Sequence, residues 1–290
     1  MRAMPFTLVA GLASGAVSAP VAGAQSVWDS VATVLQTSAT LTGGYHRYGF
    51  PRTDLTVRVG DVTVAPAFAL GAWAGFTDEP RTSTMMGDLV ITSAELGPLL
   101  EELRRQRLEV MAIHNHIVGE EPDIVYVHFH GRGGPLDLAS RLDRALAMTG
   151  TPRPVRPAGP QPLRIDSAVV FRTLGVSGRA QGSVAQVSFV LVPAVVRMSG
   201  RRQVPGLAYG SPVNVQMVNE SRAVATGDFA VLGKRVDPVL DSLSAHGITA
   251  TALHSHLIGE SPRVYYIHFW GDGPLPTLLA GLRAAVDAAK

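Results

Sequence analysis

At 290 residues the chain has room for two domains of ordinary size, each able to bury its own core. A hydrophobic content of 46% with 17% charged residues excludes a disordered chain, and 25 basic against 23 acidic residues, without a dense run of Lys or Arg, argues against nucleic acid as a partner. The absence of cysteine removes disulfides, thiolate metal ligands and a cysteine nucleophile.

The first residues read as a targeting signal. Arg2 supplies a short positive region, Pro5 to Val21 is apolar and small, and Ala22-Gly23-Ala24 ahead of Gln25 has the pattern cut by signal peptidase. A membrane anchor is the competing reading; the Gly, Ala and Ser content and the cleavage pattern favour a secreted or periplasmic protein, with residues 1–24 removed. No other apolar run is long enough to span a bilayer.

Trp28 to Leu35 has helical spacing. Strands are expected next: Leu55, Val57 and Val59 alternate, Gly60-Asp61 turns, Val62 and Val64 alternate again, Phe68 to Phe76 is a further apolar run, and Met85 to Ile91 another. The last carries Gly87-Asp88, repeated as Gly227-Asp228. This pair reads as turn or bulge chemistry, with a role in orienting a histidine as the alternative. Pro98 and Pro238 suit the first position of a helix, with Gly97 and Asp237 as the caps, and a later helix should begin near Pro135.

Between these helices lies the most informative stretch, Met111 to Gly131. It occurs twice: the second copy, Thr251 to Gly271, keeps His254, His256, Gly259, Glu260, Pro262, Tyr266, His268, Phe269 and Gly271 at a constant offset of 140 from the first. Positions 111–134 share 11 identities with 251–274, whereas the 24 positions before them share 5. Packing tolerates swaps of similar volume, so retention of the same His and Glu residues asks for a polar reason.

Each copy reads as a β-hairpin around a Gly/Pro turn. Residues two apart on a strand share a face, which places His114 beside His116, and Tyr126 beside His128 and His130. If both arms face one way, these imidazoles and the turn carboxylate Glu120 converge, and imidazole nitrogen with carboxylate oxygen is the usual ligand set of zinc and similar divalent transition metals. The expected metal ligands are His114, His116 and His128 in one copy and His254, His256 and His268 in the other. Glu120 and Glu260 would act as a fourth ligand or general base, and Tyr126, His130, Tyr266 and Trp270 would contact a ligand. A buried hydrogen-bonded network pinning the two halves together is the structural alternative.

A proline-rich connector, TPRPVRPAGPQP, marks the domain boundary. The expected organisation is a signal peptide over 1–24, a first repeat over 25–150, a linker over 151–162 and a second repeat over 163–290. Each repeat is α+β, a mainly antiparallel sheet with helices packed on it, and the two are related by a pseudo-twofold axis. In the second repeat strands are expected around Val169 to Leu174, Val184 to Val192, Ala194 to Met198, Val213 to Met217 and Ala223 to Leu232. The glycine-rich turn at 131–135 fails as a dinucleotide fingerprint, because Leu136 stands where the third glycine is needed. Gly175 to Arg179 fails as a nucleophile elbow.

The segment MGDLVITSAELGPLLEEL, the HNH and HSH hairpins with GEEP and GESP, and YIHFWG together resemble the LppY/LpqO family of bacterial envelope proteins, a tandem domain of unknown function. The resemblance implies export, often as a lipoprotein, although this chain offers no cysteine for acylation. Two functions follow as expectations. One is metal-dependent hydrolysis of an envelope or extracellular substrate; the other is non-catalytic binding of cell-wall glycan or peptide on the aromatic residues of the hairpins.

Overall fold

The computed structural model describes residues 26–155 and 163–290. The expected signal peptide and residues 156–162 of the linker lie outside these residues. The first repeat runs α1 (Val27–Leu35), β1 (Ala39–Thr42), β2 (Tyr45–Pro51), β3 (Val57–Val59), β4 (Val62–Val64), α2 (Pro66–Ala69), β5 (Gly71–Thr77), β6 (Ser83–Thr92), α3 (Ser93–Arg105), β7 (Glu109–His114), β8 (Glu120–Glu121), β9 (Ile124–Gly133) and α4 (Pro135–Leu146). The second repeats this plan: α5 (Ser167–Leu174), β10 (Gly178–Gln181), β11 (Val184–Phe189), β12 (Arg197–Met198), β13 (Arg201–Arg202), α6 (Pro205–Ala208), β14 (Ser211–Met217), β15 (Ala223–Leu232), α7 (Val236–Ala245), β16 (Thr249–His254), β17 (Glu260–Ser261), β18 (Val264–Gly273) and α8 (Leu275–Ala289).

Each repeat is thus α+β, built on a six-stranded antiparallel sheet. The orders β1-β2-β5-β6-β9-β7 and β10-β11-β14-β15-β18-β16 are the same topology twice. Small three-stranded sheets, β4-β3-β8 and β13-β12-β17, hold the turns of the histidine hairpins.

Alternation along the strands decides which face does what. On one face of the first sheet Tyr48, Phe50, Ala72, Ala74, Leu89 and Val127 are buried, and Leu99 and Leu103 of α3 and Leu138 and Leu142 of α4 pack against them. The opposite face carries Arg47, Trp73, Asp88, Tyr126 and His128, and it is turned toward the matching face of the second sheet. The chain therefore stacks in four layers, helices outside and sheets inside. A third apolar cluster, including Tyr45, Met86, Met111, Met198, Leu207 and Tyr266, joins the two repeats. Side-chain donors tie the seam: Asn214 Nδ2 donates to the Phe68 carbonyl at 2.7 Å, Gln186 Nε2 to the Ala67 carbonyl at 2.6 Å, and Tyr45 Oη to the Gly206 carbonyl at 3.2 Å.

Several sequence expectations are corrected. Phe68 lies in α2, not in the strand that follows, because Pro66 starts a helical turn there. Val169 to Leu174 forms α5: the Asp166 carboxylate accepts from the Ala168 and Val169 N–H groups, and Gly175 closes the helix in the left-handed region, which outweighs the strand preference of its valines. The strand expected over Ala194 to Met198 shrinks to β12. Helix α3 begins at Ser93, not Pro98, because Glu95 reaches back to accept from the Thr92 N–H at 2.7 Å and fixes the start one turn earlier. In the second repeat a short 3-10 turn, Gly233–Arg235, leads into α7 ahead of Pro238, so Asp237 lies inside the helix instead of capping it. Helix α4 starts at Pro135 as expected; Leu138, Leu142 and Leu146 are buried, whereas Leu136 in its first turn is exposed. Among the described residues no helix is long and apolar enough to cross a membrane.

Candidate metal centre between the repeats

Strands β7 and β9 form the expected hairpin arms, with Ala112 opposite His128 and His114 opposite Tyr126; β16 and β18 do the same with Ala252 opposite His268 and His254 opposite Tyr266. On the other side of each returning strand sits an aspartate, Asp88 opposite His128 and Asp228 opposite His268. These aspartates belong to the middle of unbroken ten-residue strands, so the reading of Gly-Asp as turn chemistry is corrected. The glycines serve close approach: a Cβ on Gly87 would overlap the Trp73 carbonyl oxygen, and one on Gly227 the Pro212 carbonyl oxygen.

The second histidine of each pair leaves its strand and crosses to the other repeat. His256 packs on Tyr266 of its own strand, ring centroids 4.0 Å apart, and faces His128 of the first repeat at 4.6 Å. His116 packs on Tyr126 at 3.8 Å and faces His268 of the second repeat at 4.0 Å. Two composite triads result, Asp88–His128–His256 and Asp228–His268–His116, each with three ligand atoms within 4.8 Å of one another. They interchange under the offset of 140 residues, as a pseudo-twofold arrangement requires. Between them, His114 Nε2 lies 3.0 Å from His116 Nε2, 3.2 Å from His256 Nε2 and 3.6 Å from Asp88 Oδ2.

The triads are equivalent in plan but not in bonding. In the second, His268 Nδ1 lies 2.7 Å from Asp228 Oδ1 and His268 Nε2 lies 2.8 Å from Nε2 of His254 outside the triad, so both ring nitrogens of His268 have partners. In the first, Asp88 Oδ1 and both ring nitrogens of His128 are buried without a hydrogen-bond partner within the described protein. Buried groups of this kind are otherwise nearly always paired. The donor set, one carboxylate and two imidazoles with ligand atoms within 4.8 Å of one another, is one that a zinc-like cation accepts.

Burial sets the protonation. It drives His114, His128, His256 and His268 below the ordinary histidine range, with adjacent imidazoles adding to the effect. The same causes, burial first and His268 second, bring His254 down to about 4. His116 is the exception: burial opposes its charge, but Asp228 and Asp88 outweigh it and raise its pKa. Burial likewise works against the Asp228 carboxylate, and His268 and His116 overcome it. Most of the cluster is therefore neutral imidazole at neutral pH, the form that ligates metal.

The other residues singled out in the sequence lie elsewhere. Glu120 and Glu260 are buried in β8 and β17, where their Oε1 atoms accept from the Ile124 and Val264 N–H groups at 3.3 and 3.2 Å and close the turn. Neither belongs to a group of converging ligands, and geometry moves the carboxylate of the cluster from the turn to Asp88 and Asp228. Tyr126 and Tyr266 stack on the histidines while their hydroxyls donate to the Ala69 and Ala208 carbonyls at 2.8 and 2.6 Å. His130 sits apart, its Nδ1 2.9 Å from Glu109 Oε2, and its counterpart Trp270 packs edge-on to Phe68 of the other repeat at 5.9 Å. Converging groups occur within the repeats as well as across them: Asp88, His114 and His116 of the first repeat lie together, and the expected set His254, His256 and His268 of the second gathers with His114.

The family model described as Domain of Unknown Function (DUF1259) matches residues 29–148 and again residues 168–288. The chain belongs to the DUF1259 family. The two DUF1259 matches coincide with the two sheets whose inner faces build the cluster. No curated protein matches this tandem DUF1259 chain. Among solved structures, a crystal structure of EtuB from Clostridium kluyveri aligns over 88% of this chain and 90% of its own at 12% identity, with a TM-score of 0.22, a likeness too slight to carry an inference.

Proposed function

We propose that this tandem DUF1259 protein holds a divalent transition metal, zinc being the best match to the donors, between its repeats. Asp88, His128 and His256 are the principal ligands, with His114 beside two of them at 3.2 Å from His256 and 3.6 Å from Asp88, and Asp228, His268 and His116 form a second, twofold-related set. The observation that carries this reading is the buried, unpartnered state of Asp88 Oδ1 and both His128 ring nitrogens, next to an imidazole delivered by the other repeat. A metal held by three or four protein ligands can polarise a substrate oxygen and lower the pKa of water, which supports metal-dependent hydrolysis as the activity. The protein residues supply neutral nitrogens together with the carboxylates of Asp88 and Asp228, and hold them in a buried setting. The resemblance to LppY/LpqO proteins and the signal-like N-terminus support an extracytoplasmic setting.

The test is metal analysis of purified protein and zinc titration after chelation, set against an Asp88→Asn, His128→Ala double variant. About one equivalent or more of tightly held zinc in the parent and its loss from the variant is the expected result. Zinc no more than background in both would overturn the reading and leave the histidines as a hydrogen-bonded seam. Binding of cell-wall glycan on the aromatic residues has less support, since Tyr126 and Tyr266 are buried with their hydroxyls engaged and Trp270 packs on Phe68.

A further inference from the structure

A cavity of about 480 Å³ opens between the two sheets beside the triads, and Asp88, His128, His256 and Asp228 form part of its wall. That volume suits a small molecule and not a polymer. The same wall carries two arginines, one from each repeat: Arg47 on β2 and Arg179 on β10.

Their placement is complementary. In the first sheet Thr40 is opposite Arg47; at the matching register of the second sheet Arg179 is opposite Gln186. The repeats have thus put their one guanidinium on different strands, and both line one cavity. Each is held by a group that leaves donors free. Arg47 lies over the Trp73 ring at 4.1 Å and makes no ion pair among the described residues. Arg179 donates through Nε to Gln186 Oε1 at 2.8 Å, and Gln186 is anchored in turn on the Ala67 carbonyl. Burial, with Arg179 acting in the same direction, lowers the pKa of Arg47 to about 10, so it stays charged at neutral pH.

We infer that this cavity takes a small anionic ligand whose oxyanion group, a carboxylate or a phosphoryl group, is held by Arg47 and Arg179 while the rest of the molecule reaches toward Asp88, His128 and His256. Guanidinium groups stacked on an aromatic face with free N–H edges suit a two-oxygen acceptor. The inference names the ligand class of the cavity and rests on the metal reading in one respect, the charge balance. Two arginines and two aspartates cancel, with most of the imidazoles neutral; a divalent cation on the Asp/His groups leaves the walls positive and draws the anion in more strongly.

The experiment is calorimetric titration of the full chain with inorganic phosphate and, separately, with succinate, each with zinc-loaded and chelator-treated protein. The variants are Arg47→Gln and Arg179→Thr, which install the residue found at the matching position of the other repeat. One of the two anions binds the parent, more tightly with zinc, and each variant weakens it about tenfold or more, as loss of a charge-assisted hydrogen bond implies. Phosphate or succinate as the stronger binder identifies the oxyanion. Zinc content in the variants stays at the parent's level. Arg179 is exposed, so Arg179→Thr tests the idea even if Arg47→Gln disturbs packing on Trp73. Variants that bind the anion as tightly as the parent, or a parent that binds neither anion in either state, overturn the inference. Arginine-dependent binding that is indifferent to zinc supports the anion seat while counting against the metal.

Discussion

Nε2 of His256 lies 3.2 Å from Nε2 of His114, although 142 residues of chain separate them. The contact exists because the loop after each HxH strand crosses the seam between the repeats. The proposed Asp88–His128–His256 set likewise draws on both repeats. His128→Ala in the first repeat and His256→Ala in the second should each lower zinc affinity by roughly 100-fold or more, a larger loss than removal of an outer-shell partner produces. Competition titration against a chromogenic chelator measures it. A variant in one repeat that leaves zinc affinity intact would mean that the cross-repeat triad is not the centre.

Asp88 and Glu120 are both buried carboxylates near the histidines, and they should behave differently. Asp88→Asn keeps size and shape but removes a charged ligand; zinc affinity should fall by about tenfold to a hundredfold. Glu120→Gln keeps an acceptor for the Ile124 N–H, and His130→Ala removes only a side chain paired with Glu109, so both should leave zinc affinity within about twofold. Equal losses for Asp88→Asn and Glu120→Gln would return the carboxylate of the site to the turn.

The difference between those two carboxylates shows what could be read in the sequence. The repeated hairpin was visible because His114, His116, Tyr126 and His128 recur without substitution in a stretch where packing would have allowed swaps. The alternating apolar pattern was enough to find the sheet and the helices on it. A Gly-Asp pair reads first as turn or bulge chemistry and only second as a group that orients a histidine; that Gly87 lets two strands approach until no Cβ fits against Trp73 is a fact about a neighbouring strand. The crossing of His116 and His256 was equally hidden. Spacing along one strand says which side chains share a face, but not which distant strand that face meets. Helix α5 is hidden for a local reason: Val169 and Val170 favour strands, and the Asp166 cap and Gly175 stop that override them lie outside the apolar run.

Away from the centre, Arg52 is almost fully buried and donates to Asp54, to Glu95 and to the Val90 carbonyl at 2.8 Å. Removing one member of a buried ion network strands the others, so Arg52→Met should cost about 3 kcal/mol of stability, read by denaturant unfolding. The pH dependence follows from Glu95. Burial alone would raise its pKa, but Arg52 and the Gly150 and Thr92 N–H groups hold it below the ordinary carboxylate range. A group with a depressed folded pKa contributes its stability above the unfolded value, near pH 4.3, and loses it as pH falls through the folded value. The parent should therefore lose stability below about pH 4.3 more steeply than Glu95→Gln does. Parallel acid profiles for the two proteins would show that this network does not control the acid limb.

Metal that binds only the folded, paired repeats must also stabilise them. Zinc at 100 times its dissociation constant should add about 2.7 kcal/mol to unfolding and raise the melting temperature by several degrees. Because the Asp88–His128–His256 triad takes ligands from both repeats, the gain should disappear to the same extent in His128→Ala and His256→Ala, each variant melting in zinc close to its own chelator-treated form. Trp270→Ala, which removes packing against Phe68 at the same seam, should lower stability by about 2 kcal/mol with or without zinc and leave the zinc increment intact. Differential scanning calorimetry of the four proteins in zinc and in chelator separates these terms. Superimposable melts of the parent in the two buffers would show that the neutral imidazoles of the seam are held together by one another and not by a cation.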